Sequence, residues 1–185
     1  MNQRKRVILL GVAFAVLLGL SSIENTFFFN ILGSIFQNQL PTANRILLQV
    51  GVLFIHNLLV ISLILLGMAF YVNLVTIGFF KKEKYSNIVL DHSRTFAVVF
   101  TIMIIFLSIL RGSSLLGGIT VEALPSILLI STPIGIVEGY GIYLTIQKTL
   151  SKTMSIRNLI YIYGIFLIAA LMEVSFINLL IWTAR

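Results

Sequence analysis

The chain has 185 residues, of which 58% are hydrophobic and 10% are charged, with a mean hydropathy of +1.05 and a formal net charge of +7. An ordinary soluble domain is roughly 45–50% apolar and about 25% charged. This composition therefore excludes a water-soluble fold and predicts an integral membrane protein. The absence of cysteine excludes disulfides, thiol nucleophiles and thiolate metal sites.

The first predicted span runs from about 7 to 23 and follows Arg4, Lys5 and Arg6. Basic residues ahead of an apolar run are also typical of a signal peptide. Four more apolar segments follow, which favours a retained anchor. The stretch "FFFNILGSIFQNQLP" that comes next has one apolar and one polar side, so it predicts a short helix in the outer interface. That helix is either a connector or a docking surface for an outer partner.

The second apolar run, Ile46–Phe80, is too long for a single perpendicular span. At about 1.5 Å per residue it would reach roughly 50 Å, against a hydrocarbon core of about 30 Å. We therefore predict a span over 46–68 that extends to 80 and that tilts, protrudes from the membrane or breaks, with Gly67 and Asn73 as the places for a break. The remaining predicted spans are 95–110, 122–147 and 159–182. The fold class is an all-α membrane bundle of five transmembrane helices.

Charge distribution orients these spans. Ten of the 13 basic residues fall on one side of the predicted membrane, and the positive-inside rule makes that side cytoplasmic. The N-terminus is then inside and the C-terminus outside. The same scattering of charge between apolar runs argues against nucleic acid as a partner. The inner set is Arg4, Lys5, Arg6, Lys81, Lys82, Lys84, Arg94, Lys148, Lys152 and Arg157, and the outer set is Arg45, Arg111 and Arg185.

The stretch "STPIGIVEGYG" places a proline and a carboxylate inside the fourth span. Pro133 removes a backbone donor and crowds the preceding turn, which predicts a kinked or broken helix. Gly135 and Gly139 form a small-xxx-small pair that allows close helix packing. Glu138 beside them either locks two helices together by hydrogen bonding or faces a polar cavity or a partner helix.

Three further polar residues lie in predicted spans, where ionisable groups are costly and typically functional. His56 and Asn57 lie in the second span, and Glu173 lies in the fifth, one turn beyond Ala169 and Ala170. Together with Glu138 they form the candidate intramembrane polar site, in which Glu138 makes the main polar contact and Asn57 and His56 on the facing helix are its candidate partners. These residues form either satisfied polar contacts between helices or a proton relay.

Motifs for several chemistries are missing from the sequence. HExxH, GxSxG, GxxxxGK[ST] and GxGxxG do not occur, and the two histidines are far apart. These absences predict a protein that is not an enzyme, with no catalytic residue, metal site or cofactor. Work driven by a nucleotide would need a partner ATPase.

Two stretches resemble the stage II sporulation protein M family of multi-pass membrane proteins. "FIHNLLVISLILLGM" (Phe54–Met68) is similar to a second-span signature in which an Asn pair precedes an apolar run that ends in Gly. Asn57 matches the second Asn, and His56 replaces the first. "PIGIVEGYGIYLTI" is similar to the family's Pro-His-Gly-x-x-Glu element, with matches at Pro133, Gly135 and Glu138 and with Ile134 in place of the His.

The resemblance covers about residues 46–150 and implies five spans with the N-terminus inside. It implies a scaffold for wall-remodelling enzymes, or a component of circular-bacteriocin maturation, secretion or immunity. Expected partners are membrane lipids and other membrane proteins, such as an ABC-type ATPase or wall-remodelling enzymes, or a hydrophobic peptide. The alternative function is a small proton- or ion-coupled transporter or channel subunit. No inverted repeat is visible in the sequence, which weakens that alternative.

Overall fold

The computed structural model describes residues 3–37, 42–78, 88–115 and 124–183, which form helices joined by short turns, with no strand among them. This confirms the predicted all-α class. The basic residues Lys81, Lys82, Lys84 and Arg185, and the predicted first residues of the fourth span, lie outside these ranges. The helices are α1 (Gln3–Gln37), α2 (Thr42–Ile77), α3 (Ile88–Asp91), α4 (Ser93–Leu115), α5 (Leu124–Leu150) and α6 (Ile156–Thr183).

Helix α1 is one unbroken helix of 35 residues. The prediction of a separate interfacial helix after the first span is therefore wrong, whereas the end of the membrane span near residue 23 stays a prediction. The stretch from Phe28 to Gln37 is the last part of α1. The physical reason is that no proline interrupts the chain between the two segments, and polar side chains such as those of Ser21 and Asn25 are tolerated inside a helix. At about 1.5 Å per residue, α1 is roughly 52 Å long.

Helix α2 is also continuous, so the predicted break at Gly67 or Asn73 does not occur. The Asn73 Nδ2 group donates a hydrogen bond to the Ala69 carbonyl 2.7 Å away, within the same helix. The helix ends where Gly78 adopts a φ of 74° and its N–H donates to the Val75 carbonyl at 3.0 Å. A glycine tolerates this left-handed conformation without a steric penalty.

Helices α1 and α2 pack antiparallel through two glycine–phenylalanine contacts. A Cβ atom added at Gly11 would lie 3.1 Å from the Phe70 ring, and one added at Gly67 would lie 3.0 Å from the Phe14 ring. Each glycine thus makes room for an aromatic ring on the other helix. This contact explains why α2 carries a glycine at position 67 without breaking there.

Helices α2 and α5 are the two central elements: α2 packs against α1, α5 and α6, and α5 packs against α2, α4 and α6. Helix α5 continues through Pro133 without a break in its helical structure. A kink of its axis stays a prediction. The main core lies around the second half of α5 and consists of Ile61, Val72, Ala97, Ile142, Ile146, Leu150, Ile162 and Phe166.

Two polar contacts define the two ends of the bundle. At one end, Lys152 Nζ in the α5–α6 turn donates to Thr76 Oγ1 near the end of α2, at 3.1 Å. At the other end, Asn178 Nδ2 on α6 donates to Gln49 Oε1 on α2, also at 3.1 Å. We call these the Lys152 end and the Asn178 end. Helix α2 is therefore parallel to α5 and antiparallel to α6.

Two of the described helical segments are long and apolar enough to cross a membrane, namely Asn44–Ile77 and Ile156–Leu179. A third apolar segment, Ser93–Leu107, is shorter. Large apolar side chains are exposed on every long helix; examples are Ile8, Leu47, Ile102, Ile136 and Ile160.

Candidate functional site

The structure brings Asn57 of α2 and Glu138 of α5 together. The Asn57 Nδ2 group donates to Glu138 Oε1 at 3.5 Å, the long limit of a hydrogen bond. Asn57 is buried and Glu138 is half-buried. Residues 81 positions apart in the chain thus meet through one polar contact between two helices.

Glu173 of α6 completes a cluster on three helices. Its carboxyl group lies near enough to that of Glu138 for the two charges to interact. Ala169 and Ala170, one turn earlier, are fully buried. Their small side chains let α6 approach the other helices closely, as the sequence predicts. The two carboxyl groups repel each other when both are charged.

His56 precedes Asn57 in α2 and is half-buried. Successive residues of a helix point about 100° apart, because an α-helix has 3.6 residues per turn. The imidazole therefore leaves α2 in a different direction from the amide of Asn57, which binds Glu138.

Two glycines that follow Glu138 in the chain allow α5 to pack closely against α4 and α6. A Cβ atom at Gly139 would lie 2.7 Å from Ile105 Cδ1 of α4, and one at Gly141 would lie 2.6 Å from Phe166 Cε2 of α6. At Gly135, no heavy atom of the described structure lies within 4 Å of an added Cβ. Gly139 and Gly141 are thus the glycines that set the helix spacing, whereas Gly135 makes no such contact.

Further polar residues lie between α2 and α6, toward the Asn178 end. Gln49 is 1% exposed and accepts the hydrogen bond from Asn178, whose amide also donates to the Val174 carbonyl at 2.8 Å. Arg45 lies one turn before Gln49 on the same face of α2. Sequence analysis missed this contact. The available signal was that Gln49 and Asn178 are amides within otherwise apolar runs.

The opposite half of the interface, toward the Lys152 end, is apolar. Ile142, Ile146 and Phe166 are each 6% exposed or less. The two buried threonines of α5 bond within their own helix, Thr145 Oγ1 to the Gly141 carbonyl and Thr149 Oγ1 to the Thr145 carbonyl. Neither hydroxyl group therefore extends the polar cluster toward the Lys152 end.

A shallow apolar groove of about 610 Å³ runs along α5 and α6 beside the cluster. Pro133 borders it on α5, and Ser175 contributes the one hydroxyl group of its lining. Ser175 Oγ donates to the Leu171 carbonyl at 2.8 Å, so its hydrogen-bonding capacity is used within α6. Among the described residues, no three His, Asp or Glu side chains are grouped to hold a metal ion.

Comparison of the chain with protein-family models, with curated proteins and with solved structures found no match.

Proposed function

We propose that the chain is a five-span protein of the bacterial plasma membrane that acts with partners and does not catalyse bond chemistry. The N-terminus would lie inside and the C-terminus outside. The apolar exterior and the two helices long enough to span a membrane support this placement. In it, the Lys152 end faces the cytoplasm, where Lys148, Lys152 and Arg157 would satisfy the positive-inside rule.

The enclosed contact between Asn57 and Glu138 carries the proposal of a scaffold. Polar groups inside an apolar bundle fix which helices pair and in which register. Here the contact joins α2 to α5, and Gly139 and Gly141 hold α5 against α4 and α6. This arrangement favours a rigid assembly that presents its outer faces to other membrane components.

The biological setting comes from the resemblance to the sporulation protein M family. It leads us to propose a role in bacteriocin maturation, secretion or immunity, or in envelope remodelling. An ABC-type ATPase, wall-remodelling enzymes or a hydrophobic peptide are the corresponding partners. Asn57, Pro133, Gly135 and Glu138 are the residues that carry the resemblance.

A pull-down from native membranes in mild detergent, analysed by mass spectrometry, tests this proposal. We expect an ATPase or a small apolar peptide in the bacteriocin case and wall hydrolases in the envelope case. The variant Glu138→Gln keeps an oxygen acceptor for Asn57, so it should retain the same partners. Recovery of the protein alone, at normal abundance, would contradict a scaffold.

The electrostatic interaction between the carboxyl groups of Glu138 and Glu173 supports a second candidate, a proton- or ion-coupled transporter or channel subunit. Paired acidic residues inside a membrane commonly mark ion pathways. Purified protein in proteoliposomes would then show flux driven by a pH gradient, and Glu173→Gln would abolish it. The absence of such flux in both the wild type and Glu173→Gln would exclude a proton or ion path through the protein. The apolar half around Ile146 favours the scaffold, since it offers no polar route onward from Glu138.

A further inference from the structure

Two buried hydrogen-bond donors on α2 have no acceptor within the part of the chain that the structure describes. They are Arg45 Nε and Gln49 Nε2. A buried donor without an acceptor is destabilising, and such groups in proteins normally meet a partner, a water molecule or a ligand. Arg45 and Gln49 are four residues apart, so both side chains lie on one face of α2.

Asn178 determines which way the Gln49 amide points. Its Nδ2 group donates to Gln49 Oε1 at 3.1 Å, so the oxygen is occupied and the NH₂ group is the part left over. Gln49 is 1% exposed, and its side chain is therefore held by packing between α2 and α6. The result is a fixed amide donor one turn below a guanidinium group.

These donors share a chemistry that selects an anion with several oxygen acceptors. The guanidinium group presents donors in a planar fork that matches phosphate and carboxylate oxygens. Arg45 is also the fourth residue of α2, where unpaired backbone N–H groups and the positive end of the helix dipole add to the attraction for an anion.

The surroundings of Arg45 distinguish a lipid from a free ion. Ile46, Leu47 and Leu48 follow it directly and are 38%, 75% and 45% exposed, and Leu179 on α6 is 55% exposed. Acyl chains could lie along these apolar side chains while the headgroup meets the donors. A free phosphate ion would leave this apolar rim uncovered.

We propose that Arg45 and Gln49, positioned by Asn178, bind the phosphate group of a phospholipid at the Asn178 end of the bundle. The proposal rests on the membrane placement proposed above, in which this end faces the outer leaflet. The phosphate enters between α2 and α6, accepts hydrogen bonds from Arg45 Nε and Gln49 Nε2, and fills the unused donor capacity of both side chains. Bound lipid then lies beside the Gln49–Asn178 contact that joins α2 to α6.

Native mass spectrometry of the purified full chain tests this site with two probes that have identical acyl chains. Phosphatidylglycerol carries the phosphate group and diacylglycerol lacks it. We expect retention of one phosphatidylglycerol per chain and no retention of diacylglycerol. Arg45→Gln removes the guanidinium group and should weaken phosphatidylglycerol binding about tenfold or more, because charge-assisted hydrogen bonds are lost.

Two further variants make the test specific. Gln49→Glu keeps the oxygen that Asn178 binds and replaces the donor with a negative charge, so it should also lower binding about tenfold. Arg157→Gln removes the same charge from an exposed position at the Lys152 end and should change binding by less than about twofold. If Arg45→Gln does not yield a folded protein, Gln49→Glu and Arg45→Lys provide the same comparison.

Equal retention of phosphatidylglycerol by the wild type, Arg45→Gln and Gln49→Glu overturns the site. Displacement of the lipid by millimolar inorganic phosphate overturns the lipid as its occupant. A copurified peptide that is lost in Arg45→Gln, with no lipid bound, does the same. Alkaline carbonate extraction tests the proposed membrane placement separately from the lipid site. A chain that stays in the membrane but shows no Arg45-dependent lipid refutes the site alone.

Discussion

The two halves of the α2–α5–α6 contact differ in the polarity of their side chains. Toward the Lys152 end the interface contains Ile142, Ile146 and Phe166, which are nearly inaccessible. Toward the Asn178 end it contains Gln49, Asn57, Glu138, Glu173 and Asn178, with a smaller apolar cluster around Val50 and Leu53.

The difference teaches where stability and selectivity reside in such a bundle. In the proposed membrane placement, lipid is as apolar as these side chains, so helix association depends on close packing between them. The stability of the apolar half therefore depends on how closely its side chains fit together. The polar half depends on whether each donor and acceptor finds a partner, and this leaves Arg45 and Gln49 with capacity for a ligand.

The largest effect that we expect is from Ile146→Ala in the apolar half. Ile146 is 0% exposed, so truncation leaves a cavity and should lower the free energy of unfolding by about 2–4 kcal/mol. Ile136→Ala is the matched control on α5, since Ile136 is 66% exposed and should cost less than about 0.5 kcal/mol. Unfolding in detergent micelles measures both. Equal losses would contradict the assignment of the core to this half.

The next effect comes from the glycines, which rank the contacts of α5. Gly141→Ala places a methyl group against the buried ring of Phe166 and should destabilise by about 1–3 kcal/mol. At Gly139 the obstacle is the flexible tip of Ile105, so alanine should cost less there.

Gly135→Ala meets no described atom and is the control. It should be neutral or stabilising by up to about 1 kcal/mol, since alanine favours the helix. Thermal unfolding of the three variants gives the order. A loss of stability in Gly135→Ala as large as that in Gly141→Ala would refute this order.

A double-mutant cycle on Asn57 and Glu138 measures the polar half directly. With Asn57→Leu, Glu138→Leu and the double variant, we expect a coupling free energy within the range of hydrogen bonds between membrane helices, which average about 0.6 kcal/mol and reach about 1.7 kcal/mol. The 3.5 Å separation favours the lower part of that range. Glu138→Gln should retain most of the coupling, because the oxygen acceptor persists. A coupling of zero would mean that the contact does not join α2 to α5.

The smallest effect concerns the turn that closes the Lys152 end. Lys152 has a φ of 57°, a left-handed conformation that costs a non-glycine residue about 1–2 kcal/mol. Lys152→Gly relieves this cost but loses the exposed hydrogen bond to Thr76, so the net change should be a gain below about 1 kcal/mol. Lys148→Gly, at a helical position in α5, should instead destabilise by about 1 kcal/mol. A loss for Lys152→Gly as large as that for Lys148→Gly would contradict the strain.

Hydropathy located the helices but not all of their boundaries. The predicted spans at 95–110, 122–147 and 159–182 fall within or beside α4, α5 and α6. The separate helix predicted after the first span was wrong, because polar residues in "SSIENT" signal a change of environment and not a change of backbone structure. Gly67 likewise marked a close contact with Phe14 and not a break.

The candidate site was predictable in its members and in one of its pairs. Asn57, Glu138 and Glu173 could be identified because polar residues are costly within apolar runs. Asn57 and His56 were both expected as partners of Glu138, and the structure has Asn57 as the donor. Which of the two meets Glu138 depends on the rotation and register of the helices, which periodicity along one helix does not encode. For the same reason, the contact between Gln49 and Asn178 and the unused donor of Gln49 emerged only when α2 and α6 were placed side by side.

The sequence by itself therefore determined the helical class, the apolar character of the helices and the polar residues within them, because these depend on composition and local backbone preference. Tertiary structure decided which glycines admit a neighbouring helix, which amide meets which carboxylate, and which buried donors lack an acceptor. Those properties depend on distances of a few ångströms between residues far apart in the chain, and only the packed arrangement of the helices fixes such distances.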